Sequence, residues 1–238
     1  MLISVIIPTL NEAEFIVQTI QNTLKHANDV KHLELIVVDS GSTDNTPDLV
    51  QSTKDVSFYF HPELKGKKSA ILNQGAGYAK GQAFIFLDAD THLPLGFDDL
   101  IRHQLMEGGV IGGAFEFKLD ADGLAIRFIE LINRTRYRLG KRYYGDQAVF
   151  CTREAFDQVG GYPERLILES AHFCASLQKT GKIKLIRHIA VTSARRFTEN
   201  RFGPLWVLTK DTFIFLMDKL NLKNDRLARK YWKFNEEK

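Results

Sequence analysis

The sequence predicts an α/β domain built on a mostly parallel sheet with helices on both faces. Four short runs of apolar, β-branched residues recur along the first half of the chain, as expected of strands that are buried on both faces. Segments with helical spacing lie between these runs. Regular alternation of strand and helix is typical of a parallel, doubly wound sheet.

The elements of the first half follow from local signals. Pro8 ends the first strand because proline cannot donate to a β-ladder, and Asn11 is a typical N-cap for the helix that follows. A polar break follows the fourth strand at residues 88–92. The predicted strands are residues 2–8, 33–39, 56–60 and 82–88, and the predicted helices are residues 11–26, 46–53 and 67–80.

The second half has longer elements and a less regular alternation. No internal repeat or low-complexity linker separates the halves, so we expect one domain over residues 1–222, divided near residue 92, and a charged tail over residues 223–238. Residues 108–119 are predicted to form a long strand or a hairpin, residues 147–151 a further strand, and residues 184–191 one or two strands. The predicted helices are residues 121–139, 153–159, 168–180 and 202–220.

Composition narrows the class of protein. Of the 238 residues, 44% are hydrophobic and 26% are charged, which is ordinary for a globular chain and excludes disordered and fibrous proteins. The net charge of +3 gives no argument for a nucleic-acid partner, and we expect none. Two cysteines, Cys151 and Cys174, are too few for a disulfide framework, so a reducing, cytoplasmic location is expected.

Two segments leave peripheral contact with a membrane open. Residues 127–142 contain six basic residues and one acid, Glu130. This stretch is either a solvated helix face or a surface for an anionic membrane or a lipid-linked substrate. Residues 202–220 are largely apolar, and either packing against the sheet or membrane contact explains them. Four charges interrupt this second segment, so it does not predict a spanning helix.

Polar side chains follow three of the predicted strands. In open parallel sheets, ligands bind beyond the carboxyl ends of the strands, which share one edge. The alternative is that each polar residue only caps the helix that follows it. The residues at these strand ends are Thr9, Asn11 and Glu12, then Asp39, and then Asp88 and Asp90.

Asp88 and Asp90 form the sharpest local feature. In an extended segment, residues two apart point to the same side, so both carboxylates face one way. Hard carboxylate oxygens suit Mg²⁺ or Mn²⁺, and such a cation offsets the charge of a diphosphate. Two rival nucleotide motifs are missing from the sequence. The glycines at 75, 77 and 81 lack dinucleotide-fingerprint spacing, and GKKS at residues 66–69 lacks the earlier glycine of a P-loop.

Five segments resemble family-2 glycosyltransferases with the GT-A fold, and the later TSARRF (192–197) resembles a small soluble bacterial subgroup. The resemblance runs from residue 4 to residue 197, and the order of the segments is that of the family. The segments are SVIIPTLNE (4–12), VVDSGSTDNT (37–46), GKKSAILNQG (66–75), FLDADT (86–91) and GDQAVFCTREAFDQVGGYPE (145–164).

The resemblance implies a Rossmann-like, GT-A type sheet with a nucleotide-binding half over residues 1–92 and an acceptor half over residues 93–222. It implies an inverting transferase that takes a sugar from a nucleoside diphosphate and passes it to a hydroxyl acceptor, aided by Mg²⁺ or Mn²⁺ as a Lewis acid. The residues that would bind the donor are Pro8, Thr9 and Glu12 around the nucleotide, Asp39 at the base, Lys67 or Lys68 near the nucleotide, Asp88 at the ribose or metal, and Asp90 at the metal.

The expected catalytic base is where this chain departs from the family. The family's Glu-Asp pair falls on Glu169 and Ser170, and a serine hydroxyl is a poor base. Glu169 and His172 are neighbours on one helix face, and either is a candidate base. If both are structural, Asp146 is a further candidate, or the chain binds a nucleotide sugar without transferring it, as a binding protein or partner subunit.

A pair of arginines and a rival enzyme class also have to be considered. Arg195 and Arg196 are candidate diphosphate partners because guanidinium groups bind phosphate bidentately, although surface ion pairs would explain them equally well. A sugar nucleotidyltransferase also uses a parallel sheet and carboxylate-bound Mg²⁺. Such an enzyme is expected to have a glycine-rich, basic loop after its first strand, and residues 9–12 do not form one.

Overall fold

One mixed sheet of eight strands organises the chain. The computed structural model describes residues 1–140, 142–165 and 167–219. The strands are β1 (Ile3–Thr9), β2 (Leu33–Asp39), β3 (Ser57–Phe60), β4 (Ala83–Phe86), β5 (Thr91–His92), β6 (Val110–Leu119), β7 (Val149–Thr152) and β8 (Lys182–Thr192). The helices are α1 (Ile16–His26), α2 (Thr46–Gln51), α3 (Lys68–Tyr78), α4 (Phe97–Met106), α5 (Leu124–Gly140), α6 (Arg153–Val159), α7 (Glu169–Leu177), α8 (Arg195–Thr198) and α9 (Pro204–Lys219).

The strand order is β3-β2-β1-β4-β7-β6-β8-β5. Four of the seven neighbouring pairs are parallel, and they include every pair among β1 to β4. The predicted α/β class with a mostly parallel sheet is thereby confirmed. Because Thr9 of β1 lies opposite Asp39 of β2, the carboxyl ends of these strands meet at one edge of the sheet.

Helices cover both faces of the sheet, because alternate strand residues point to opposite sides. On one side Ile6, Val38 and Phe86 join a core with α3, α5, α6, α7 and α9. On the other side Val5, Val37 and Ile85 join a core with α1, α2 and α4. This three-layer arrangement buries the β-branched strands on both faces, as their composition predicts.

Helix α1 begins later than the sequence predicts. Asn11 is not its N-cap; it adopts a positive φ of 56°, and the helix starts at Ile16. The Asn11 side chain instead accepts a hydrogen bond from the Thr43 backbone N–H at 2.8 Å, and its own N–H donates to Ser42 Oγ. Bonds to the β2–α2 loop therefore hold residues 10–15 as a loop beside the sheet edge.

Three elements were not predicted, namely β5, α4 and the short α8. Strand β5 pairs Thr91 with Thr192 of β8 at the far edge of the sheet, so strands from both sides of the expected division at residue 92 share one sheet. The division into a nucleotide half and an acceptor half stays a prediction. The predicted tail at 223–238, and the end of the last helix at residue 220, lie outside the described residues. Within the described part, no helix is both long and apolar enough to cross a bilayer.

A buried carboxylate ties α4 to the loop after α1. Asp98 is fully buried and accepts hydrogen bonds from the backbone N–H groups of Asn28 and Asp29, both at 2.9 Å, and from Arg102 at 2.6 Å. These donors outweigh burial and lower the pKa of Asp98. The side chain therefore joins the start of α4 to the loop after α1.

We expect Asp98→Ala to lower the free energy of unfolding by about 3 kcal/mol, because it leaves buried donors and the Arg102 charge without their acceptor. Urea denaturation measures the loss. The neighbouring Asp99→Ala is the matched control: the Asp99 side chain is 57% exposed on the same arginine, and its loss should cost about 1 kcal/mol or less. Equal losses for the two variants would contradict the role given to Asp98.

Candidate active site

A cleft of about 560 Å³ opens at the carboxyl ends of β1, β2 and β4. The residues after these strands form its floor, the start of α3 forms one wall, and α8 and α9 form another. The cleft brings together ten of the predicted site residues. These are Pro8, Thr9, Asn11, Glu12, Lys67, Lys68, Asp88, Asp90, Arg195 and Arg196.

Lys68 links the cleft residue Asp88 to a second carboxylate, that of Glu169. At the start of α3, its Nζ lies 2.7 Å from Asp88 Oδ1 and 3.6 Å from Glu169 Oε1. The attraction of both carboxylates overcomes burial and raises the pKa of Lys68, so the ammonium stays charged. Gly145 packs so closely on this pair that a Cβ there would meet Asp88 Oδ2 at 2.7 Å. The glycine thus keeps space beside Asp88.

Arg195 forms a second cationic link across the cleft. Its Nη2 lies 2.6 and 2.7 Å from the two oxygens of Glu12 and 3.1 Å from Asp90 Oδ2. Its guanidinium also lies over the ring of Phe15, 4.5 Å from the ring centroid. Arg195 reaches the site because α8 follows β8 directly, and Ser193 N–H donates to the Asp90 carbonyl at 3.1 Å.

The carboxylates of the floor are crowded. Burial raises the pKa of Glu12 to about 7 despite the opposing pull of Arg195. Burial and the neighbouring Asp88 charge raise the pKa of Asp90. A cluster in which negative charges are this costly favours an additional positive charge.

Asp39 shapes the loop beside the cleft. It is fully buried, and its oxygens accept from Gly41 and Ser42 N–H, from Ser42 Oγ, and from Thr9 Oγ1 at 2.9 Å. A carboxylate has about four acceptor sites, so these four bonds use its capacity. Its predicted contact with a base stays a prediction, and that contact would require one of these bonds to be exchanged.

The three candidate bases have different surroundings. Glu169 begins α7, is 8% exposed, and pairs with Lys68, but it is not among the residues that line the cleft. His172 Nε2 lies 2.8 Å from Asp218 Oδ1, so this side chain connects α7 to α9. Asp146 carries a buried Oδ1 for which the described residues supply no hydrogen-bond partner. Burial and repulsion from Asp88 raise the pKa of Asp146 to about 6.

Helix α9 contributes cleft residues that sequence reasoning missed. Trp206, Lys210 and Asp211 line the cleft, and Asp211 forms an ion pair with Arg196. The sequence carries a signal for these residues, because Lys210 and Asp211 are two adjacent charges within an otherwise apolar segment. Those charges count against a membrane-spanning helix, and they also mark the side of α9 that faces a polar cleft.

Comparison with known proteins gives the family. The sequence model described as "Glycosyl transferase family 2" matches residues 4–156, well over half of the chain. Glycosyltransferase GlyG of Streptococcus pneumoniae is 24% identical over 231 residues, covering 94% of this chain and 71% of that protein. Validoxylamine A glucosyltransferase of Streptomyces hygroscopicus is 33% identical over 90 residues, covering 37% of this chain and 21% of that protein.

Solved structures show the same fold. TarS of S. aureus, residues 1–349, superposes with a TM-score of 0.66 at 17% identity, over 82% of this chain and 61% of that one. TarS is also known in complex with UDP and with UDP-GlcNAc. Mannosyltransferase PcManGT of Pyrobaculum calidifontis, in complex with GDP-Man and Mn²⁺, gives a TM-score of 0.63 at 24% identity, over 79% of this chain and 56% of that one.

The predicted resemblance and the GT-A type of the sheet are therefore confirmed. The chain spans about six tenths of the solved structures it matches. The polar strand ends, the convergent cleft and the family match over residues 4–156 agree, and the protein belongs to glycosyltransferase family 2.

Proposed function

We propose that the protein transfers a sugar from a nucleoside diphosphate to a hydroxyl acceptor, with inversion at the anomeric carbon. The observation that carries the proposal is the cleft itself, where Lys68 and Arg195 each neutralise carboxylates at the ends of parallel strands. A diphosphate is the ligand that suits such cations, since its oxygens can replace the carboxylates as their partners. Lys67 and Arg196 line the same cleft and add to its capacity for phosphate.

The residues present fit a divalent cation when a diphosphate supplies the remaining ligands. The described residues contain no cluster of three or more histidine, cysteine or acidic side chains placed to hold a metal ion. Mg²⁺ is commonly bound through one or two carboxylates together with substrate phosphates, and Asp88 and Asp90 offer that set. When bound there, Mg²⁺ or Mn²⁺ supplies Lewis-acid stabilisation of the departing nucleoside diphosphate.

The basic side chains have a matching task. Arg195 is held by Glu12 and Asp90, so donor binding exchanges a carboxylate partner for a phosphate partner. Lys68 lies between Asp88 and Glu169 and holds them within one polar network. This exchange would release the carboxylates of Glu12 and Asp90 from Arg195 and leave their negative charge available to a divalent cation.

Glu169 is the proposed base. Its carboxylate shares Lys68 with Asp88, and this shared partner supports a position near the bound donor. A base in this position takes the proton of the acceptor hydroxyl as its oxygen attacks the anomeric carbon in line. His172 is turned toward Asp218, and this favours a positioning role for it at the α7–α9 contact.

Calorimetric titration tests the donor site. We expect at least one of UDP, GDP and dTDP to bind, and Mn²⁺ to tighten that binding, because the crowded carboxylates favour an added cation. Titration of the same nucleotides after chelation of the metal is the control. If none of the three nucleotides binds with or without Mn²⁺, the proposal is wrong.

A binding protein without transfer is the second candidate. Ser170 at the position of the family's base favours it, as does the ion pair of Glu169 with Lys68, because that pair gives the carboxylate a structural role. Donor turnover that is lost in Glu169→Gln would reject this candidate. A sugar nucleotidyltransferase is a lesser alternative, and release of pyrophosphate from a nucleoside triphosphate would revive it.

A further inference from the structure

The helices α5 and α9 present an apolar surface to solvent. Leu124, Phe128 and Leu131 are 86%, 50% and 60% exposed. Their spacing of four and three residues puts them on one face of α5. Ile126 and Ile129, on the opposite face, are buried in the core, so this exposure is a property of one side of the helix.

Helix α9 lies against α5 and exposes apolar side chains of its own. The Arg136 guanidinium of α5 lies 5.4 Å from the centroid of the Phe215 ring of α9. Phe213 and Leu216 are each 51% exposed, and Leu205 is 52% exposed. The remaining exposed positions in the described part of α9 are Trp206 and two threonines, so none of its exposed residues carries a charge. We call Leu124, Phe128, Leu131, Phe213 and Leu216 the α5–α9 face.

Within the described residues of α5 and α9 themselves, the exposed charges all have one sign. The three acidic residues of these helices are partly buried and bonded to neighbours: Glu130 accepts from the Leu119 N–H, Asp211 pairs with Arg196, and Asp218 pairs with His172. The exposed charges are Arg127 and Arg138. Arg138 also pairs with Glu116, and the exposed Asp122 lies just before α5, so the positive charge beside the stripe comes mainly from Arg127. An apolar stripe with such a charge beside it is complementary to a surface that is apolar within and negative at its boundary.

We infer that the α5–α9 face docks on an anionic lipid bilayer, with both helices lying on the surface. The phenylalanine and leucine side chains enter the boundary between headgroups and acyl chains, while Arg127 and Arg138 contact the anionic headgroups. This inference goes beyond the proposed transfer reaction and does not depend on it, since the face lies outside the residues assigned to donor and metal.

The same docking places the cleft near the bilayer. Trp206 is 40% exposed on α9 and also lines the cleft. Docking through α9 therefore brings the cleft mouth close to the headgroup layer. An acceptor hydroxyl carried on a lipid would reach the cleft from that layer.

Co-sedimentation with vesicles tests the inference. We expect the full chain to bind vesicles in which about a third of the lipid is phosphatidylglycerol, and to bind pure phosphatidylcholine at least about tenfold more weakly. The double substitution Phe128→Ser with Leu131→Ser should lower binding to the anionic vesicles by about tenfold or more. Arg127→Glu should have an effect of similar size, and the effect should shrink as salt is raised.

Matched controls lie elsewhere on the molecule. Met106, 85% exposed at the end of α4, belongs to the helical layer on the other face of the sheet, and Met106→Ser should leave vesicle binding unchanged. Lys31→Glu makes the same charge reversal as Arg127→Glu at an exposed turn before β2. Thermal unfolding checks that each variant is folded.

Two outcomes would overturn the inference. One is a wild-type chain that binds anionic vesicles no better than neutral ones. The other is α5 variants that bind as the controls do. If the wild type forms a dimer without binding vesicles, and the double variant is monomeric by light scattering, the face belongs to a second copy of the chain. Neither result bears on nucleotide binding, so failure here is distinct from failure of the proposed reaction.

Discussion

Glu169→Gln is expected to lower the rate of sugar transfer by about 10² to 10⁴-fold, because it removes the proposed proton acceptor. The amide is close in size to the carboxylate, so the start of α7 should keep its packing. Nucleotide affinity, measured by calorimetry, should change by only a few-fold, since the carboxylate is assigned to the acceptor and not to the donor. Transfer is measured as release of the nucleoside diphosphate.

His172→Gln is the matched control for this substitution. It lies three residues further along the same helix, and its ring is bonded to Asp218 of α9. We expect it to change transfer by only a few-fold while lowering stability by about 1 kcal/mol through the lost contact. A large loss in His172→Gln together with activity in Glu169→Gln would reverse the assignment. Loss only in Asp146→Asn would move the base to the buried carboxyl group beside Asp88.

Asp90→Asn is expected to remove most of the gain in nucleotide affinity that Mn²⁺ provides, by about 10²-fold or more. The amide cannot carry the negative charge that a divalent cation requires, yet it keeps the shape of the side chain. It also relieves repulsion with Asp88, so affinity in the absence of metal should not fall by the same factor. Calorimetry gives the nucleotide affinities, and the electron paramagnetic resonance signal of Mn²⁺ reports binding of the ion directly.

Asp48→Asn controls for the change in net charge, because Asp48 is exposed on α2 and does not line the cleft. It should leave the Mn²⁺ titration unchanged. If Asp90→Asn binds Mn²⁺ and nucleotide as the wild type does, Asp90 does not hold the cation.

The elements predicted most closely are those with strong internal signals. The continuous apolar run of β2 and the capped helix α6 have the predicted bounds, residues 33–39 and 153–159. The two-residue strand β5 is too short to have a periodic pattern. Helix α4 begins after Gly96, which adopts a left-handed φ of 68° and provides no capping side chain. Its first acid, Asp98, bonds to the loop after α1 and does not cap α4, so the helix begins without a capping side chain.

The late start of α1 has a similar cause. Asn11 has the residue type of an N-cap, but its side chain and backbone are committed to Ser42 and Thr43 across the loop. A local preference worth about 1 kcal/mol is easily outweighed by bonds made elsewhere. The sequence carries the preference, and only the neighbouring loop decides how it is used.

The same distinction between local signal and tertiary packing applies to the candidate site. From the sequence alone, polar residues at the ends of parallel strands must meet at one edge, because parallel strands align their carboxyl ends. This prediction holds for Thr9, Glu12, Asp88 and Asp90, which line one cleft. It required only the strand pattern and the direction of the chain.

The tertiary structure decided which side chains meet across that cleft. Arg195 pairs with Glu12 from 183 residues away, Lys68 is shared by Asp88 and Glu169, and His172 turns to Asp218. Such pairs depend on strand order and on how helices pack over the sheet edge, and no local pattern encodes either. The sequence alone thus determined the strand ends and their carboxylates, and the packing of α3, α7, α8 and α9 over them determined the partner of each.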